Sequence, residues 1–309
     1  MARRKRKGDP VHGWIVVDKP AGRTSTAVVG AVKRITNAAK AGHGGTLDPI
    51  ATGILPIALG EATKTVSFVM DGAKGYRFTL AWGVATDTDD REGEAVATSD
   101  VRPDRAAIEA VLPQFIGEIE QVPPAYSAIK VGGRRAYDLA RKGESVDLAP
   151  RRIVIHGLRL TGLIGPESAT FEVVCGKGAY MRALARDIAE RLGTVGHIAE
   201  LRRTAAGPFT EAHAISLDEL ESFGQSAAAL EHLLPVETAL DDIPALALTE
   251  QEAARLRNGQ AVSLLRKVDL DRIADLEEGD VVLALAFGRP IALTRYHAGE
   301  VRPVRVLNL

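Results

Sequence analysis

Gly42-His43-Gly44-Gly45-Thr46-Leu47-Asp48-Pro49 ends a glycine-rich turn on a single carboxylate and then fixes the direction of the chain. Three glycines give the backbone conformations closed to other residues and leave room for a bulky ligand to come close. Pro49 pushes Asp48 out of the helical region into extended or turn geometry. A carboxylate presented in this way can act as a nucleophile or a base. The alternative use of the same residues is a surface loop whose aspartate caps a turn.

The flanking sequence embeds this turn in a mixed body. Residues 13–17 predict a short strand that Asp18-Lys19-Pro20 ends, and Thr24-Ser25 offers an N-cap for a helix with Val28, Val29, Val32 and Ile35 on one face. Residues 53–59 predict a buried strand and residues 76–82 an alternating one, followed by an acidic hairpin turn at 87–93. A helix is expected over 103–115, with proline in its first turn and Ile108, Val111 and Leu112 inward. A strand at 127–131, the Gly132-Gly133 turn and a helix through Tyr137 and Leu139 come next. Strands are expected at 151–160 and 170–175. Gly178 is expected to open an amphipathic helix over 179–192, which Gly193 stops. Residues 197–203 read as the last strand of this body. Strands and helices mix without a regular βαβ repeat, so the expected class is α+β. Beyond Pro235 a polar helix at 249–258 and strands at 281–287, 290–296 and 303–307 predict a small β-rich terminal unit. The expected division is a basic arm at 1–9, a main domain at 10–240 and a terminal domain at 241–309.

Composition excludes several classes. The chain has 309 residues, 46% of them hydrophobic, enough for a substantial core. Cys175 is the single cysteine, so no disulfide or cysteine-based zinc site can form within the chain, and a reducing cytoplasm fits best. Its place in the run Phe171-Glu172-Val173-Val174-Cys175 predicts a buried strand residue. No apolar run reaches membrane-spanning length, and Arg3-Arg4-Lys5-Arg6-Lys7 lacks the apolar segment of a secretory signal. That basic stretch reads either as a phosphate-touching arm or as a solubilising tail. The net charge of -1 hides an asymmetry: residues 1–210 hold 30 Lys and Arg against 23 Asp and Glu, and the remainder 9 against 17. A basic body joined to an acidic tail is consistent with a polyanionic partner.

Individual motifs narrow the chemistry. Gly176-Lys177-Gly178 at a helix start could bind phosphate, but the following Ala179 breaks the P-loop pattern. Residues 87–93 carry Arg91 and Glu92 where a calcium loop needs an oxygen ligand and glycine, leaving a solvated acidic turn as the favoured reading. Asp48 has no local partner carboxylate for glycoside hydrolysis. The seven histidines form no zinc motif. Base chemistry on RNA draws more of the residues together. Arg182, on the polar face early in the 179–192 helix, could pair with Asp48 or simply face solvent. Tyr76 and Tyr180 could stack on an extruded base or pack in the core. His43 could stand where a base leaves its helix or fill a turn. Lys64, Lys130, Arg134-Arg135 and Arg202-Arg203 could face phosphates or be ordinary surface.

The order of these pieces resembles the TruB family of pseudouridine synthases, which act on uridine 55 in the T-loop of tRNA. The resemblance is carried by VDKPAGRTS (17–25), GHGGTLDPIATGILPIALGEATK (42–64), YRFTLAWGVATDTDDREG (76–93), the run from 122 beginning VPPAYSAIKVGGRRAYDLAR, CGKGAYMRALARDIAERLG (175–193) and LRRTAAG (201–207). It implies that Asp48 is the catalytic aspartate and Arg182 its ion-pair partner. It implies that Tyr76 stacks under the target uracil, that Tyr180 and Leu201 complete the pocket, and that His43 fills the space of the flipped nucleotide. Lys19, counted among the substrate-binding positions, and Pro20 would brace the active-site loop from behind. The expected fold is a mixed, mostly antiparallel sheet flanked by helices, with a PUA-like RNA-binding terminal domain. No cofactor or metal is implied. The acidic turn at 87–93 matches bacterial stand-alone members, so neither a guide RNA nor an obligate protein partner is expected, and a cytoplasmic monomer is the default. The competing reading is a non-catalytic module that binds or refolds RNA.

Overall fold

The computed structural model describes residues 8–127, 129–140, 142, 147–265 and 267–309, so the basic stretch at 3–7 lies outside the described residues. The chain opens with β1 (Gly13–Lys19), buried at all positions but Asp18, as a strand covered on both faces should be. In α1 (Ser25–Ile35), the Thr24 hydroxyl accepts from the Ala27 N–H at 3.1 Å, and Val28, Val32 and Ile35 face inward. β2 (Ala41–His43) pairs with β3 (Thr52–Leu59), so the first two residues of the glycine run are strand rather than turn. α2 (Val66–Asp71) leads to β4 (Lys74–Trp82). β5 (Val84–Thr86) and β6 (Ala95–Thr98) form a hairpin around the acidic segment. α3 (Arg105–Val111) is capped by the Asp104 carboxylate accepting from Ala107 N–H at 2.8 Å. Pro103 therefore stands before the cap instead of in the first turn, and residues 112–115 tighten into a 3-10 turn.

β7 (Gly117–Gln121), the small hairpin β8 (Lys130–Val131) and β9 (Arg134–Arg135), and α4 (Ala136–Ala140) follow. β10 (Arg151–Ile164) and β11 (Ser168–Cys175) make one long antiparallel hairpin. α5 (Met181–Arg191) begins later than expected, with Tyr180 at its N-cap. β12 (Gly196–Ala206), β13 (Phe209–Thr210) and β14 (Ala214–Ser216) complete the main sheet. Its order is β14-β1-β3-β12-β4-β11-β10-β7, with β2 on β3 and β13 on β12. β12 is thus a central strand and not the last one of the body. β1–β14 and β3–β12 are parallel and the other pairings antiparallel, the mixed α+β arrangement expected. Phe78 and Phe171 stack at 5.1 Å across β4 and β11, with Trp82 edge-on at 6.4 Å. Truncating Phe171 to alanine would cost about 3–5 kcal/mol, because the buried ring leaves a cavity.

After α6 (Leu217–Ser222) comes a second sheet built from β15 (Ala245–Ala247), β16 (Val262–Ser263), β17 (Val281–Ala286), β18 (Arg289–His297) and β19 (Glu300–Val306). Its order is β15-β17-β18-β19-β16, and α7 (Glu250–Arg257), closed by a Thr249/Glu252 capping box, packs on it. Leu240, Leu283, Leu293 and Leu307 form a buried cluster against Phe68 and Ile243, joining this sheet to the main body. Lys64 Nζ donates to Val306 O at 2.7 Å, and Asn308 N–H donates to Glu61 Oε2 at 2.8 Å, so the chain terminus is tied to the turn after β3.

Candidate active site

The loop carrying Asp48 is fixed before the carboxylate is placed. Ser25 Oγ donates to Leu47 O at 3.0 Å and accepts from Leu47 N–H at 2.8 Å. Lys19, fully buried, donates to Pro20 O and Arg23 O at 2.8 Å and to Pro49 O at 3.1 Å. Those three bonds use all the hydrogens of an ammonium. The structure therefore sets Lys19 behind the loop and leaves it no donor for a ligand, unlike a substrate-binding lysine. Within the glycine run, Gly45 needs its lack of a side chain, with φ at +129°. Gly53, at φ +98°, lies so close to β12 that a Cβ would sit 2.1 Å from Arg203 O.

Asp48 emerges from this mount with about a third of its side chain exposed (35%), and Oδ2 accepts from Arg182 Nε at 2.9 Å. Oδ1 has no hydrogen bond among the described residues and is the oxygen open to a ligand. Arg182 is 5% exposed, not on a solvent face as its place on an amphipathic helix suggests. Its Nη1 donates to Thr88 O and its Nη2 to Tyr126 O, both at 2.9 Å. The planar fork is thus held by three groups from separate segments, so its orientation toward Asp48 is preset.

The acidic turn supplies part of that hold. Asp90 is buried, 3.7 Å from Arg182 Nη1, and its Oδ1 accepts from Thr88 Oγ1 at 2.7 Å and Glu92 N–H at 3.0 Å. Asp89 meets Arg186 at 3.1 Å, and burial raises its carboxyl pKa while the Arg186 charge opposes the rise. Arg91 N–H and Ile198 O bond at 3.0 Å, which clips the turn to β12. The solvated turn expected from sequence is instead folded over α5.

Both tyrosines lie within reach of the Asp48 charge. Tyr76, half-buried on β4, has its phenol pKa raised by burial against the pull of Arg203, and the Asp48 charge reaches it. Tyr180 is gripped by Gln121, whose Oε1 accepts from Tyr180 N–H at 2.8 Å and whose Nε2 donates to Tyr180 O at 3.2 Å. Burial raises this phenol too, and the Asp48 charge adds to the rise. His43 ends β2, and burial followed by the Arg203 charge lowers its pKa, so the ring is neutral at neutral pH. Leu201 is 6% exposed and packs in the main apolar core.

The expected phosphate-facing cations fare differently. Arg202 makes a two-point pair with Asp18, at 3.0 and 2.8 Å, and meets Glu211 at 2.6 Å. Arg203 is 1% exposed and faces inward. Lys64 pairs with Glu61 at 2.5 Å besides reaching Val306. Arg134 is exposed on the β8–β9 hairpin, and the side chains of Lys130 and Arg135 lie outside the described residues. Lys177 pairs with Asp71 at 3.0 Å, in a loop that ends before α5 begins, so the Gly-Lys-Gly run does not sit on a helix N-terminus. Cys175 is buried and its thiol is pushed up to about 12, so it is a core residue. Among the described residues no group of three His, Cys, Asp or Glu is arranged to hold a metal. Ser25, Gln121 and Asp90 belong to the site but escaped the sequence reading. Only Asp90, in the acidic segment 87–93, left a signal there.

This fold and site define a class. A chain of an H/ACA RNP bound to a substrate RNA containing 2′-deoxyuridine aligns over 100% of this chain and 92% of its own length, with a TM-score of 0.73 at 23% identity. A chain of a Cbf5-Nop10-Gar1 complex aligns over 99% and 91%, with a TM-score of 0.71 at 25% identity. Sequence makes the assignment narrower. Residues 33–181 match the N-terminal domain model of TruB family pseudouridylate synthases, and residues 182–241 match the C-terminal domain model of tRNA pseudouridylate synthase B. The tRNA pseudouridine synthase B of Rhodospirillum rubrum is 56% identical over 306 residues, 99% of each chain. That of Caulobacter vibrioides is 55% identical over the whole of both chains, and that of Bradyrhizobium diazoefficiens 58% identical over 97% of this chain and 86% of its own. The chain belongs to the TruB family of pseudouridylate synthases and is an isomerase of that class.

Proposed function

We propose that this enzyme converts uridine 55 in the T-loop of tRNA to pseudouridine. The observation that carries the reading is the mounted Asp48, with Oδ2 paired to a buried Arg182, Oδ1 free of any hydrogen bond among the described residues, and its charge felt by both Tyr76 and Tyr180. Isomerisation breaks N1–C1′, turns the uracil, forms C5–C1′ and moves the C5 proton to N1, so atoms and electrons balance without an oxidant or cofactor. Asp48 serves by attack on C1′, by attack on C6, or by removal of the 2′ proton to give a glycal. The target leaves its helix at a cost of a few kcal/mol, least in a loop. Stacking on Tyr76 recovers about 1–3 kcal/mol by analogy with single-strand platforms. Tyr180 and Leu201 close the pocket, His43 takes the vacated space, and Lys19 works from behind by holding the loop.

Residues 10–240 would carry this chemistry. Residues 241–309 would form a PUA-like domain that reaches RNA through its form rather than its charge, which is acidic. The tRNA elbow would be the partner, and the enzyme would act alone in the cytoplasm as a monomer. Incubating purified protein with unmodified tRNA transcript, followed by carbodiimide mapping, tests the reading. A single new stop at the T-loop uridine, lost in Asp48→Asn, is expected. Tight, salt-sensitive binding with no modification would move the chain to the RNA-binding and refolding class.

A further inference from the structure

Arg203 is a buried cation without a local anion. Its Nε donates to Ile54 O at 2.7 Å, Nη2 to Gly45 O at 3.1 Å and Nη1 to Thr46 O at 3.4 Å. No carboxylate pairs with it among the described residues, whereas adjacent Arg202 meets two. Desolvating a guanidinium is costly, and a neutral donor would tie the same carbonyls without that cost. The charge is also felt around the site. It lowers the pKa of Lys19 and His43 and pulls the Tyr76 phenol down against burial. In the sheet, Arg203 stands opposite Tyr76 of β4 on one side and Gly53 of β3 on the other.

We propose that Arg203 is a standing positive charge beneath the reacting base, set to stabilise the negative charge that the uracil ring gains during isomerisation. The inference rests on reading the enzyme as a uridine isomerase. It does not depend on the route Asp48 takes. Attack at C1′ or loss of the 2′ proton releases the ring with the N1–C1′ electron pair, spread over N1, O2 and O4. Attack at C6 instead places an enolate on the ring before the bond breaks. In each case the electrons return when C5 bonds to C1′ and the C5 proton is released, with N1 protonated. Arg203 exchanges no atom or electron. It acts through its field, across Tyr76, in a dry interior where fixed charges count for more than in water. It is a positioning residue, whose absent counter-ion is the reaction's own transient anion.

The test compares tRNA carrying uridine with tRNA carrying 5-fluorouridine, whose fluorine stabilises the ring anion by itself. Single-turnover consumption of the target nucleoside is measured by nucleoside analysis, beside melting temperature and tRNA affinity. Arg203→Gln is expected to slow the uridine reaction on the order of 100-fold, with a loss at least about tenfold smaller on 5-fluorouridine. Arg203→Lys keeps the charge but not the fork, and its relative preference for the two substrates should match that of the unaltered enzyme. An equal loss on both substrates in Arg203→Gln reduces Arg203 to a brace for the loop. If that variant does not fold, a shifted substrate preference in Arg203→Lys overturns the proposal. Failure of the unaltered enzyme to consume uridine would instead sink the functional reading on which it stands.

Discussion

The two sheets treat buried charge in opposite ways. Beside the C-terminal sheet, Glu252 of α7 and Asp269 of a 3-10 turn are buried and both meet Arg272, at 3.1 and 2.7 Å, and burial is accompanied by neutralisation. Beneath the main sheet, Lys19, Lys74 and Arg203 are buried with backbone carbonyls as their hydrogen-bond acceptors. Arg182 is the exception there, and its partner Asp48 is the one carboxylate of the site left partly open. A neutralised buried group serves the fold, because removing either partner strands the other. Unneutralised cations around one open carboxylate raise the free energy of the resting protein. They become useful only when negative charge arrives, which is the economy of a preorganised active site.

The widest gap between the regions should come from Asp48→Asn. It is expected to reduce pseudouridine formation by at least about 10³-fold while leaving tRNA affinity and melting temperature nearly unchanged. Turnover well above background in that variant would remove Asp48 from its role. Arg182→Ala should lower kcat by about 10²-fold or more with a smaller change in KM, and should also cost about 3–5 kcal/mol of stability, since Asp90 and Asp48 lose their common partner. A loss confined to affinity would make Arg182 a phosphate contact and dissolve the contrast with Arg272. Arg272→Ala is the converse experiment. A destabilisation of about 1–3 kcal/mol is expected, discounted for its partial exposure, with kcat unchanged at temperatures where the protein stays folded. A comparable fall in kcat would show that the second sheet contributes to catalysis.

The finest test is the protonation of Lys19, whose pKa burial lowers from 10.5 to about 8, with Asp48 raising it and Arg203 lowering it. Nitrogen NMR of the side chain should therefore give a midpoint near 8 that rises in Arg203→Gln and falls in Asp48→Asn. The folded value lies below the unfolded one, so between about pH 8 and 10.5 the unfolded chain binds more protons. The Lys19 contribution to stability should accordingly grow as pH rises through that window, and be constant below it. A midpoint that ignores both substitutions would mean the cations do not share a field with Asp48.

Local signals explain what was legible. The Thr24 cap, the α1 stripe and the β4 alternation depend on residues within a few positions of one another. Within the mount of Asp48 the same holds for Gly45 and Pro49, which act on their immediate neighbours, but not for Ser25 and Lys19, which hold the loop from 22 and 30 residues away. Longer-range features have a different reach. The resemblance named Arg182 as the partner of Asp48, and the pair forms across 134 residues, but its helix position alone leaves solvent as the alternative until the 87–93 turn covers it. β12 looked terminal because strand order is set by pairings such as Arg202 with Thr52 and Arg203 with Tyr76, far apart in the chain.

Arg202 and Arg203 draw that boundary most sharply. By itself the sequence determined that two adjacent arginines in a strand point to opposite faces, because side chains alternate with a period of two. It likewise determined that Asp48 sits on a turn only glycine could make. Only the tertiary structure decided which arginine meets Asp18 and Glu211 at the surface and which enters the interior beside Tyr76. The physical reason is that burial and pairing depend on which distant strands close over a residue, and no local preference encodes that choice.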